Sequence, residues 1–200
     1  MELNNRIADI VQEYRKKRIE GKLVDLVPFT WVDADRVIEI RNREKNRYYL
    51  NQSYLITRES QAKWYERYLE KYDDVYWCVY TKDNHFIGTV RIYNIDSEKN
   101  ICDQGSLMLD EEYATVGPYA IEVELLSLDF VFNVLRIRTV VNEDRADNKI
   151  MNNLTKNLGF RYVKNTQIGG VDYKYYLLNL EDYNEKRCDL ADIIEYWKHR

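Results

Sequence analysis

The stretch "YATVGPYAIEVE", Tyr113 to Glu124, has the pattern of a turn that feeds a helix. Unpaired backbone amides and the positive end of the helix dipole can hold an anion at such a place. Val116, Gly117, Tyr119 and Ala120 keep their amides for that task, and Pro118 has none. Proline at the first helical position is preorganised and gives up only an amide that is free in any case, so the cost of Pro118 falls on a ligand and not on the helix. No lysine or arginine occurs from Asp110 through Leu135, and Asp110, Glu111 and Glu112 lie just before the turn. On these residues alone a plain helix start accounts for the turn at least as well as a weakened phosphate cradle.

Other chemistry-bearing residues are sparse. Cys78, Cys102 and Cys188 have no metal-ligand spacing, and His85 and His199 are the only histidines, so reduced thiols and no metal site are expected. In "ICDQGSLMLD", strand alternation puts Asp103 on one face with Ile101, Gly105, Leu107 and Leu109. That is an odd place for an unpaired charge. A catalytic carboxylate, a salt bridge and a strand-end aspartate all remain open there.

Composition bounds what must position these groups. The 200 residues are 45% hydrophobic and 32% charged, which suits one α/β (α+β) domain over 1–200, with a core at 22–180 and added helices at about 2–20 and 187–199. Two prolines and no low-complexity tract leave nothing to divide it. A net charge of −4 and a pI near 5.4 argue against nucleic acid as a partner. "EYRKKRIEG" reads as a solvated helix face. No stretch is apolar enough to span a bilayer, and the first residues lack the basic start and apolar centre of a signal peptide, so a cytoplasmic protein without membrane attachment is expected.

Periodicity gives the element order. Ile7, Ile10, Val11 and Tyr14 mark a leading helix, "KLVDLVPF" a strand, "VDADRVIEIRN" a helix, and "TRESQAKWYERYLEKY" another, capped by Thr57 or Ser60. "DVYWCVYT" and "FIGTVRIYNI" form a hairpin, and "NICDQGSLML" a third strand beside it. "PYAIEVELLSLDFVFNVL" is a long helix, "IRTVV" a strand, and "DNKIMNNLTKNLGF" a helix closed by Gly159. "RYVKN", the turn "TQIGG" and "YKYYLLNL" make a last hairpin. "CDLADIIEYWKH" is the terminal helix, with Leu190, Ile193, Ile194 and Trp197 on one face, which is expected to pack on the domain or in a homodimer.

This order, with "YAIEVELLSLDFVFNVLRIRTVV" followed by "NKIMNNLTKNLGF", resembles the GNAT superfamily of acyl-CoA-dependent N-acetyltransferases. "IEIRNREKNRYYLNQ", Trp64 in "ESQAKWYERYL", and "FIGTVRIYNID" are similar to the branch of ribosomal-protein N-terminal and nucleotide-aminosugar acetyltransferases. The resemblance covers roughly Lys22 to Leu180. It implies a GNAT fold, a mixed and mostly antiparallel sheet flanked by helices, and acetyl-CoA as co-substrate.

By the same resemblance the donor's pyrophosphate would sit on Thr115, Val116, Gly117, Pro118, Tyr119 and Ala120. Only Ala120 keeps the family's residue type; Thr115 stands at a basic or amide position and Pro118 at a glycine. Asn148 would hydrogen-bond the pantetheine arm, or serve as a helix-terminal residue with Asp147 or Asp144 competing to cap. Backbone groups of Leu107, Met108 and Leu109 would pair with pantetheine and polarise the thioester. Asp103 falls near the position of the base that deprotonates the amine. Thr155 stands where the family often has a tyrosine acid, and a thiolate whose thiol pKa is near ~8.5 leaves without one. Arg41, Asn42, Tyr49, Asn51 and Tyr93 would face the acceptor. The function implied is acetyl transfer to a small-molecule primary amine, preferably of a sugar nucleotide. A protein N-terminus is the enzymatic alternative, and a degenerate GNAT-fold binding or assembly protein the other.

Overall fold

The computed structural model describes residues 2–199, and the side chains from Arg6 onward. Strand β3 (Val75–Thr81) lies at the heart of the fold because every one of its residues is buried. Val75, Trp77 and Val79 enter one core, and Tyr76, Cys78 and Tyr80 a second on the opposite face. A strand apolar at successive positions can satisfy this only between two layers.

Eight strands form one sheet in the order β1-β2-β3-β4-β5-β6-β8-β7. They are β1 (Ile19–Glu20), β2 (Val24–Pro28), β3, β4 (Phe86–Asp96), β5 (Ile101–Leu109), β6 (Thr139–Arg145), β7 (Arg161–Ile168) and β8 (Val171–Asn179). One layer holds α1 (Glu2–Tyr14), α6 (Tyr119–Asp129) and α8 (Leu180–Lys198); the other holds α2 (Ala34–Asn42), α3 (Glu44–Tyr49) and α4 (Arg58–Glu70). Short α5 (Glu111–Thr115) precedes α6, and α7 (Lys149–Asn157) follows β6. No helix among the described residues is long and apolar enough to cross a membrane.

Every neighbouring pair is antiparallel except β5 and β6. These run parallel over three rungs, Ile101 to Thr139, Cys102 to Val140 and Asp103 to Val141, and then separate. The cause is local to β5. Its pairing with β4 shifts between Thr89 and Arg91, and Ser106 takes a left-handed φ of 54°. An extra residue in one strand bends it and increases its twist. The fork between β5 and β6 is therefore built by a bulge at Ser106, directly after Gly105, the one glycine in the strand.

Several local expectations are corrected. Pro118 is the residue before the first turn of α6, with φ −91° and ψ 28°, and the helix starts at Tyr119. After Asp129 it continues as a π-helical segment, Phe130–Leu135, that keeps Phe130, Val131, Phe132 and Leu135 buried. Helix α8 starts at Leu180, eight residues before Cys188, because the Asn179 side chain caps it on the Asp182 amide at 2.8 Å. Leu190 and Ile194 are buried on its inner face, while Ile193 and Trp197 stay 41% and 37% exposed. The last hairpin turns on Gly169 and Gly170, and Thr166 to Ile168 belong to β7. Thr57 caps α4, and Ser60 closes the reciprocal bond. Gly159 has φ 97° after α7, as its role of ending a helix requires.

Glu122 ties the two halves together. Buried in the first turn of α6, it accepts hydrogen bonds from the backbone amides of Lys22, Leu23 and Val24 at 2.6, 2.7 and 2.8 Å. Removing it leaves the buried Val24 amide unpaired, at about 1–3 kcal/mol, and takes a charged acceptor from two partly buried amides as well. Glu122→Ala is expected to lower unfolding free energy by about 3 kcal/mol or more, read as a fall in the urea midpoint at unchanged m-value.

Candidate active site

The fork opens into a continuous cleft. Its apex is a small cavity of about 90 Å³ walled by Gln104, Ser106, Glu124, Asn142 and Asp144. It widens toward the start of α6 into a cavity of about 360 Å³ lined by Lys45, Leu107, Leu109, Thr115 and Met151, among others. Tyr49, Leu50, Leu107, Asn148 and Met151 border both parts. Leu107, Met108, Leu109, Thr115 and Asn148, all read from the sequence as donor contacts, thus lie together on this cleft. Asn148 is also the cap of α7: its Oδ1 accepts from the Met151 amide at 3.2 Å. The cap belongs to Asn148 and not to Asp147 or Asp144.

The bulge corrects the face assigned to Leu107 and Leu109. Asp103 and Gly105 pair with Tyr93 and Arg91. Beyond the bulge Leu107 and Leu109 pack on the core beneath α6. Asp103 and the two leucines are therefore on opposite sides of the sheet.

The turn before α6 is less hostile to an anion than its own sequence implies. Arg43 forms an ion pair with Asp110, and Lys45 Nζ lies 2.7 Å from Glu111 Oε1. Two of the three acidic residues, Asp110 and Glu111, are thus paired from the α2–α3 junction and α3, and Lys45 lines the same cleft as Thr115. The Thr115 hydroxyl donates to the Glu111 carbonyl at 2.8 Å. Gly117 has φ 75° and backs onto Trp197 of α8, whose ring lies 3.3 Å from where a Cβ would stand. Val116 is exposed, and Tyr119 packs edge-on against Tyr113 at 5.2 Å. Ala120, half-buried, follows in the first turn of α6.

A second cavity, of about 270 Å³, opens on the α4 side of the sheet and meets the fork at Ser106. Arg41, Arg67 and Arg91 converge on it from α2, α4 and β4, with Trp64 and Tyr76. Arg91 is held by Asp74, its Nε donating to Oδ1 at 2.8 Å. Arg41 and Arg67 have no ion pair or hydrogen bond among the described residues. The buried Tyr76 hydroxyl lacks a partner there as well. Two uncompensated guanidinium groups and aromatic faces suit a ligand that is anionic and flat.

The remaining sequence-derived acceptor residues divide. Arg41 is on this cavity, and Tyr49 is on the donor cleft. Asn42 is spent on structure: its side chain exchanges bonds of 2.8 Å with the Ile56 amide and carbonyl and fixes the loop before α4. Asn51, at φ 52°, donates to the Ile168 carbonyl at 3.3 Å and ties that loop to the β7–β8 turn. The Tyr93 ring carries the Arg91 guanidinium at 4.8 Å and covers Gly105, and burial with Asp103 nearby pushes its hydroxyl up to about 12.

Asp103 occupies the last paired rung before the fork, on the Tyr93 side. Asn94 Nδ2 donates to its carboxylate at 2.5 Å. Partial burial raises its pKa above the ordinary carboxylate value, and Glu143 adds to the rise against the Asn94 bond. Thr155 is fully buried and donates to Asp144 Oδ2 at 2.6 Å while accepting from Asn142 Nδ2 at 3.2 Å. Its proton is committed, in keeping with a residue that packs and hydrogen-bonds. Sequence reasoning passed over Lys45, Arg67, Arg91 and Glu124, and weighed Asp144 only as a helix cap. The available signal was a glutamate inside the apolar run "IEVELLSL", where a charge has no solvent to meet. Among the described residues no cluster of side chains could hold a metal ion.

No curated protein matches the chain. Apo FdhC, named as a nucleotide-linked sugar GNAT, is similar at 21% identity and a TM-score of 0.76, over 89% of this chain and 98% of its own. The spermidine N-acetyltransferase of Vibrio cholerae, solved with CoA and spermine, is similar at 15% identity and a TM-score of 0.75, over 82% and 99%. A GCN5-related N-acetyltransferase from Brucella melitensis reaches 20% identity and a TM-score of 0.73, over 92% and 86%. At such identities these likenesses speak for the fold. The family described as an acetyltransferase (GNAT) domain matches residues 24–161 by its sequence profile, well over half of the chain. A forked sheet with a cleft between its parallel strands and a profile match across that whole region have one reading: the chain belongs to the GNAT acetyltransferases, and it is an acyltransferase.

Proposed function

We propose that this acyltransferase is a cytoplasmic enzyme that moves an acetyl group from acetyl-CoA to the primary amine of a nucleotide-linked aminosugar, by direct attack and without a covalent intermediate. The observation that carries the acceptor is the pair of unpaired guanidinium groups, Arg41 and Arg67, in a cavity that meets the fork at Ser106. A diphosphate matches them in charge and fork geometry, and a base or sugar ring matches Trp64 and Tyr76. The likeness to FdhC, named as a nucleotide-linked sugar GNAT, points the same way. A polyamine, the ligand named for the Vibrio cholerae structure, would meet like charge here.

In this reading the cleft residues Leu107, Met108, Leu109 and Asn148 hold the pantetheine arm, and backbone amides of the β5 bulge polarise the thioester oxygen. Asp103 takes the proton that the acceptor amine must lose before it can attack. The amides of Val116, Gly117, Tyr119 and Ala120 take the pyrophosphate, with Lys45 on the adjoining cleft at Thr115.

The test is a panel of acceptors: uridine- and thymidine-diphosphate aminosugars, spermidine, and peptides with free N-termini, scored by release of CoA thiol. Turnover confined to the sugar nucleotides supports the proposal. Equal or better turnover of spermidine or a peptide overturns it.

The phosphate turn has its own test. Pro118→Gly adds one backbone donor, and a hydrogen bond to a charged group is worth roughly 1.5–3 kcal/mol. Greater flexibility of the glycine turn offsets about 0.5–1 kcal/mol of that gain. Acetyl-CoA is expected to bind several-fold to roughly tenfold tighter by calorimetry, with no gain for a donor lacking the phosphates. An unchanged affinity would remove the turn from the donor site.

A further inference from the structure

The apex of the fork holds a carboxyl to which the reading above gives no task. Glu124 is 2% exposed, in the second turn of α6, and walls the apical cavity opposite Asn142 and Asp144 of β6. Its neighbour Glu122 is saturated by three backbone amides. Glu124 is not: among the described residues its Oε2 has no hydrogen-bond partner, and neither has Oε1 of the adjoining Gln104. Gln104 spends an amide hydrogen on Ser127 Oγ at 2.8 Å. A carboxylate here would add buried charge beside lone pairs already without donors. A carboxylic acid supplies the missing hydrogen.

The surroundings favour that acid. The groups around Glu124 are Gln104 from β5, Asn142 and Asp144 from β6 and Ser127 on its own helix; Tyr49 of α3 and Glu143 and Arg145 of β6 also line the cavity, and Thr155 of α7 and Lys174 of β8 act on Asp144 behind them. Burial first, and then the Asp144 charge, push the Glu124 pKa up to about 8 against the opposing pull of the Gln104 side chain. Asp144 is raised to about 6, with Thr155 and Lys174 opposing the rise, so it ionises before Glu124 does. The unpartnered oxygen and the direction of the shift both favour the protonated form of Glu124 at neutral pH.

Topology places the two carboxyl groups on opposite sides of the thioester site. Asp103 is on the face of Tyr93 and the arginine cavity, and Glu124 is on the α6 face, with the separated strands between them. We propose that Glu124 is the acid that protonates the departing thiolate, the task for which Thr155 has no spare proton. As the amine nitrogen bonds to the acyl carbon and the carbon–sulfur bond breaks, the Glu124 proton passes to sulfur, giving the free thiol. Solvent then returns a proton to the Glu124 carboxylate. The apical cavity of about 90 Å³ has room for about three waters at roughly 30 Å³ each, enough to relay it.

The assignment rests on reading the fork as the thioester site, and the experiment separates the two. Hydroxylamine, largely unprotonated at neutral pH, needs neither Asp103 nor the arginine cavity, so transfer to it isolates the leaving-group step. Glu124→Gln is expected to slow single-turnover transfer about tenfold, less than the usual 10²–10⁴ for a general acid because a thiolate leaves readily. Acetyl-CoA affinity should be unchanged. The unaltered enzyme is expected to lose rate above about pH 8, and that alkaline limb should be absent in the variant. Glu124→Asp, which keeps a proton, should recover part of the rate. An unchanged rate and alkaline limb in Glu124→Gln, or a loss of acetyl-CoA affinity matching the loss of rate, would overturn the role of Glu124 alone. An unaltered protein that binds no acetyl-CoA would overturn the fork as well.

Discussion

Replacing Arg41 and Arg67 together by glutamine is expected to lower kcat/KM for a sugar-nucleotide acceptor by about 10²–10³-fold while leaving acetyl-CoA affinity unchanged. Both guanidinium groups enter the same cavity on the α4 side, and neither is neutralised by a neighbour. Each hydrogen-bonded charge contact to a phosphate is worth about 1.5–3 kcal/mol, and two lost contacts span that range after solvent screening of the more exposed Arg67. The loss should fall mainly on KM, since the contacts lie away from the reacting nitrogen. Rising salt should weaken the unaltered enzyme toward the variant. Arg91 is not the residue to change first, because Asp74 holds it and its removal would strand a buried carboxylate. Steady-state kinetics at two ionic strengths make the check; a double variant with unchanged KM would remove the cavity from acceptor binding.

Asp103→Asn is expected to lower kcat by roughly 10²-fold, the ordinary consequence of losing a general base, with acetyl-CoA affinity intact. Position supports a large effect: the carboxylate is on the last rung before the strands part, on the side from which the arginine cavity reaches the fork. The pH dependence has a definite sign. A base works only when ionised, so kcat/KM should fall as pH drops through the Asp103 pKa. Burial and then Glu143, against the Asn94 bond, hold that pKa above the ordinary carboxylate value, so the acid limb should lie higher than for a free aspartate. Asn94→Ala removes the one bond that favours the ionised form and should move the limb higher still. A native-like rate in Asp103→Asn would leave Asp103 as a partner of Asn94 and nothing more.

The sequence by itself determined the longer elements and their order, because burial has a period; the two-residue β1 and the short α3 and α5 are too brief to show one. "DVYWCVYT", apolar at nearly every position, had to be a strand between two layers, and β3 is buried throughout. Asn148 and Gly159 bracket α7 as cap and stop, and Leu107, Met108, Leu109, Thr115 and Asn148 line one cleft. Local signals fail where the outcome depends on a bulge or a distant charge. Alternation along β5 assigned Leu107 and Leu109 to the face of Asp103, and one added residue at Ser106 moved them to the other side. The stretch from Asp110 through Leu135 holds no basic residue of its own, yet Arg43 and Lys45 pair Asp110 and Glu111 from 67 and 66 residues away. The meeting of Arg41, Arg67 and Arg91, and the orphaned oxygen of Glu124, exist only once the sheet order has brought α2, α4, β4 and α6 to the fork. Periodicity records whether a residue faces water; tertiary structure alone decides which charge it faces, because Coulomb partners are set by distance through space and not along the chain.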